Sequence, residues 1–69
     1  NRTEVLSLHA RLLGVDDLGS VWLASIEFSG TVRESPERGP APLRELWLLT
    51  RECTSSHAPW RLARQQTLL

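Results

Sequence analysis

The sequence has one cysteine and no methionine, lysine or tyrosine among its 69 residues. A single cysteine excludes a disulfide within the chain. Its only soft companions for a metal are His9 and His57. No Cys-x-x-Cys or His-x-x-x-His spacing joins the three, so neither a zinc site nor any other cofactor is expected. With no methionine, Asn1 is not expected to be a translation start, and the chain reads as part of a longer one. The longest uncharged run, Leu18–Ile26, falls far short of the roughly 20 apolar residues that span a bilayer. No signal-peptide pattern is visible. All eight basic residues are arginine, which we read as codon bias, and eight acids balance them to a net charge of zero. A nucleic-acid binder shows a basic excess, so that class of partner is not expected.

What is present fits a folded segment: 41% of the residues are hydrophobic and 23% charged. A single core in a chain this short supplies only about 3–5 kcal/mol. Help is therefore expected from outside residues 1–69, read here as a single partial domain. Turn-forming residues cut the chain into four segments. Gly14–Gly19 is polar and bounded by glycine. Ser35–Pro42 holds three of the four prolines and Gly39, and Thr54–Pro59 is the third break.

The second segment is the clearest. From Val21 to Arg33 the even positions are Trp22, Ala24, Ile26, Phe28, Gly30 and Val32, while the odd ones turn polar after Leu23. Period-2 alternation of this length is a half-buried strand, with Gly30 marking a bulge or bend. The first segment has two readings. As a strand, Leu6, Leu8, Ala10 and Leu12 line one face and Ser7, His9 and Arg11 the other. As a helix, Val5, His9, Leu12 and Leu13 share a face, between a Thr3 cap and Gly14. The strand pattern is the cleaner. In Leu43–Cys53, Trp47 and Leu49 alternate with Leu46 and Leu48, so both faces are partly apolar, and Pro42 is also compatible with a helix start. The last segment alternates Trp60, Leu62 and Arg64 against Arg61, Ala63 and Gln65.

The expected fold is thus four antiparallel strands near 5–13, 20–34, 43–52 and 60–67, paired in sequential order as a β meander. One sheet cannot cover its own apolar face, and domains have at least two layers. A protein partner, or a second copy of the chain, is expected over that face.

Certain pieces resemble a known family. They are Phe28-Ser29-Gly30 before a charged turn, Glu45-x-Trp47-x-Leu49, and Trp60-x-Leu62-Ala63-x-x-Gln66. In this order they resemble the sheet half of the C-terminal domain of the mitochondrial inner-membrane translocase subunit 44 and its bacterial relatives. That resemblance implies an α+β cone of the nuclear transport factor 2-like superfold, in which helices precede a curved meander and an apolar pocket lies between. The helices are missing from this chain. It further implies a non-catalytic binding or scaffold domain, acting in protein translocation or membrane-protein assembly. The implied location is the bacterial inner membrane or, alternatively, the mitochondrial one. The other classes kept open are a small isomerase or dehydratase of the same superfold and a sheet-mediated dimerisation module.

The candidate interaction face is Trp22, Ala24, Ile26, Phe28, Trp47 and Trp60, since aromatic and aliphatic side chains dominate pocket walls. Residues 1–34 carry three Arg and five acids, and residues 35–69 five Arg and three acids. Arg61 and Arg64 face no acid after Cys53 and are candidates for lipid headgroups. No catalytic residue is expected. Glu27 belongs to the polar face, where His9 is a candidate cross-strand partner. Cys53 and His57 have no orienting acid after them, as a nucleophile pair would need. Asn1-Arg2-Thr3 matches a glycosylation acceptor pattern at the chain's first residues.

Overall fold

The structure is a computed structural model and describes residues 3–69, so the Asn1-Arg2-Thr3 pattern lies largely outside the described residues. Four strands follow one another: β1 (Glu4–Asp17), β2 (Val21–Arg33), β3 (Ala41–Glu52) and β4 (Arg61–Thr67). They form one sheet in the order β1-β2-β3-β4, with every pair antiparallel. No helix occurs among the described residues, so the helical readings of residues 3–13 and of the segment after Pro42 are both set aside.

Two boundaries differ from the sequence reading by two residues or more, and the others by one at most. β1 continues through Gly14-Val15-Asp16-Asp17, which had read as a connection, because these residues still pair with Ser25, Ala24, Leu23 and Trp22. The turn proper is shorter. The Leu18 N–H donates to the Val21 carbonyl at 2.9 Å, leaving Gly19 and Ser20 at the tip. Gly19 has a φ of 97°, and the Asp17 carboxylate accepts its N–H at 2.9 Å. Positive φ at the first tip residue alone matches a II′ hairpin turn, which suits strand twist. β3 begins at Ala41 and takes in Pro42, opposite Thr31.

The register assigns side chains to faces, because directly opposed residues in an antiparallel sheet project to the same side. One face carries Trp22, Ala24, Ile26, Phe28 and Val32 from β2. Their β1 partners are Asp17, Val15, Leu12, Ala10 and Val5, and their β3 partners are Arg51, Leu49, Trp47, Glu45 and Ala41. Leu62 joins this apolar face from β4 through its pairing with Leu49. The opposite face holds Glu4, Ser7, His9, Arg11, Glu27, Ser29 and Arg44, with an apolar stripe of Leu23, Leu46 and Leu48.

Three bulges adjust this pattern. β1 shifts register between Val5 and Ser7 and between Leu12 and Gly14, so Leu6 and Leu13 are the extra residues. Each bulge changes the parity of the strand. Val5, Leu8, Leu12 and Val15 thereby stay on the apolar face, at spacings that strict alternation would not allow. Leu6 is consequently not part of the row Leu8-Ala10-Leu12. On β4 the shift at Leu48/Leu49 makes Ala63 the extra residue. Arg64, which strict alternation had put with Leu62, instead shares the opposite face with Arg61.

No second layer covers the sheet among the described residues. Among the described residues only Ala24 is buried, at 6% exposure, while Trp22, Leu8, Leu12 and Val15 are exposed. The Cα radius of gyration is 15.3 Å, against about 11 Å for a compact domain of this length. The accessible surface is 5339 Å², where a folded monomer of this mass shows about 4,400 Å². Both quantities describe an extended, single-layered sheet.

Candidate functional site

Five of the six residues singled out from the sequence lie together on the apolar face. Trp22, Ala24, Ile26 and Phe28 follow one another along β2, and Trp47 stands beside Ile26 on β3. The Phe28 and Trp47 rings meet edge to face, with centroids 4.9 Å apart and planes at 63°. This is the geometry that aromatic quadrupoles favour. Trp60 precedes β4, in the connection from β3, and is exposed.

Glu45 is the functional candidate that sequence reasoning passed over. It lies on the apolar face opposite Phe28. Its Oε1 accepts hydrogen bonds from Trp47 Nε1 at 2.9 Å and from Gln65 Nε2 at 2.8 Å. The carboxylate thereby fixes the Trp47 indole edge and ties β4 to β3. The signal was present in Glu45-x-Trp47, because residues two apart on a strand share a face. Asp17 and Arg51 are the other charged residues on this face, both near the β1–β2 turn.

The opposite face carries the ion pairs. Arg44 donates to Glu27 Oε2 from Nε at 3.0 Å and from Nη2 at 2.8 Å. The Glu27 side chain is 18% exposed and that of Arg44 55%. His9 is not the partner expected for Glu27: it is opposed to Ser29, and Arg11 is the β1 residue opposite Glu27. At the far corner Arg33 donates to Glu4 Oε1 at 3.1 and 2.8 Å across the β1–β2 pair. Arg61 and Arg64 project from this same face, opposite Thr50 and Leu48.

The β3–β4 connection brings Cys53 and His57 near the end of β3 without making a site of them. Arg51 Nη2 donates to the Ser56 carbonyl at 2.7 Å, and the His57 N–H to Ser55 Oγ at 3.3 Å. Cys53 is a half-buried free thiol whose N–H donates to the Ser20 carbonyl at 3.0 Å. Desolvation, with a smaller contribution from the Asp17 carboxylate, raises its pKa above the ordinary thiol value. A nucleophilic cysteine requires the reverse. No hydrogen bond joins Cys53 to His57 among the described residues.

Comparison of the chain with models of known families, with curated proteins and with solved structures finds no match.

Proposed function

We propose that this chain is a non-catalytic binding or scaffold module whose apolar face takes the apolar surface of a protein partner. The observation that carries the proposal is the uncovered face: Trp22, Ile26, Phe28, Trp47 and Leu49 lie in two adjacent strands with no layer above them. Covering a side chain of this size is worth about 1.5–3 kcal/mol, enough for a handful to hold a partner. Soluble monomers rarely leave so large an apolar patch in water. The resemblance to translocase subunit 44 supplies the proposed setting, a membrane-associated assembly in protein translocation or membrane-protein insertion, at the bacterial or mitochondrial inner membrane. Arg61 and Arg64, on the same opposite face, would then meet anionic headgroups, at about 1 kcal/mol each near the surface.

One observation favours a second reading, a small enzyme with an acid on its apolar wall. Glu45 occupies such a position. We rank this reading lower because Oε1 of Glu45 already serves two donors and the other charged residues of that face, Asp17 and Arg51, lie toward the β1–β2 turn.

The test compares Phe28→Ala and Trp47→Ala with Glu27→Gln and Glu45→Gln in the full-length protein. The readout is its co-migration with its assembly after detergent extraction. The Ala variants are expected to lose association and the Gln variants to retain it. Folded Gln variants that lose function, beside Ala variants that keep it, would give the field to the enzyme.

A further inference from the structure

Two charges of opposite sign on the apolar face, Glu45 and Arg51, lie on β3. Glu45 and Arg51 each stand three residues from Leu48, hence about 10 Å to either side of it. We propose that the partner on this face is a second copy of the chain, bound face to face. The two-fold axis runs between the sheets, perpendicular to the strands, at the level of Leu48. This inference rests on the reading of the apolar face as a binding face and specifies its occupant.

Such an axis inverts position along the strand. It sets each Glu45 against the partner's Arg51, so both charges of β3 are neutralised as they leave water. It also sets Ile26 over the partner's Ala24, because these two residues lie one step either side of Ser25, the residue opposite Leu48. Ala24, a small residue and the one buried among the described residues, is thereby set against a branched side chain. Leu12 and Val15 exchange in the same way on β1. Contact of this reciprocal kind is what a two-fold interface requires.

Both partners of the ion pair have capacity left. Arg51 uses one of its five N–H donors on Ser56. The hydrogen bonds of Glu45 within the described residues fall on Oε1, leaving Oε2. Packed sheets cross at about 30° and lie about 10 Å apart, which displaces the two charges by roughly one strand spacing, within reach of an arginine. About that axis the strands overlap over residues 44–52 of β3, about 30 Å along the strand, and Val5, Val32 and Ala41 at the longer end lie beyond the overlap. Asp17, level with Arg51 on β1, comes over the partner's Ala10 and keeps the N–H of Gly19 as its donor.

Light scattering over a concentration series tests the proposal with Glu45→Arg, Arg51→Glu, and an equal mixture of the two. The wild type is expected at twice 7.8 kDa. Each single variant places like charges together at two symmetric points and is expected to weaken the dimer about tenfold or more. The mixture restores both opposite-charge contacts, so a heterodimer of near wild-type affinity is expected. That recovery also shows both variants to be folded. A wild type that stays monomeric, or a mixture no tighter than its components, overturns the dimer. The apolar face would in that case remain a binding face for a different protein, which the Phe28 and Trp47 variants test separately.

Discussion

The backbone of Ser7 crosses Gly30 so closely that no side chain fits between them: a Cβ on Gly30 would collide with the Ser7 carbonyl oxygen and stand 3.1 Å from the Leu8 Cα. This closeness accompanies the bulge at Leu6, which lies next to the Gly30–Leu8 pair. Gly30 is therefore required by the approach of another backbone, and its own φ plays no part.

Gly30→Ala is expected to destabilise the sheet by about 1–3 kcal/mol, since the clash is with main chain that cannot step aside. Gly14→Ala meets nothing within 4 Å and serves as the control. Urea denaturation followed by Trp fluorescence reads the difference. Equal midpoints for the two variants would show that the β1 bulge is not where we describe it.

The bulge at Leu13 yields a second expectation. Deleting Leu13 leaves Leu12, Gly14 and Val15 opposite their present partners, so the sheet is expected to tolerate it within about 1 kcal/mol. Deleting Ala10 instead breaks the alternation and drives Arg11 to the position opposite Phe28, so a larger cost than for the Leu13 deletion is expected. Similar denaturation midpoints for the two deletions would contradict the assigned register.

These bulges also explain how much of the fold was legible in the sequence. β2 could be read because Val21–Arg33 alternates without interruption. β1 was ambiguous for a physical reason. Val5, Leu8, Leu12 and Val15 are spaced by three, four and three residues, which is the period of a helix. Two bulges produce the same spacing in a strand, and the extra residues Leu6 and Leu13 are as apolar as their neighbours, so composition does not mark them. The bulge at Ala63 likewise concealed that Arg61 and Arg64 share a face. Of the site, the row along β2 and Trp47 were readable from alternation. The hydrogen bonds of Glu45 were not, because Gln65 comes from a strand whose register the sequence does not specify.

The two ion pairs should differ in strength. Glu27 is shielded from solvent more than Glu4, whose side chain is 57% exposed. A double-mutant cycle on Glu27 and Arg44 is expected to give a coupling of about 0.5–1 kcal/mol, and one on Glu4 and Arg33 about 0–0.5 kcal/mol. Raising the salt concentration should shrink the second more than the first. A larger coupling at Glu4–Arg33 would reverse the assignment of which pair matters to the sheet.

Among the described residues Ala24 is alone in being buried, and this bears on how the chain melts. The heat capacity of unfolding comes mainly from apolar surface newly exposed to water. A slab that already exposes its apolar face has little more to reveal. In the proposed dimer, most of that heat-capacity change and the cooperativity that accompanies it belong to the covered assembly. Folding and association then become one equilibrium, and a melting temperature that depends on concentration is expected.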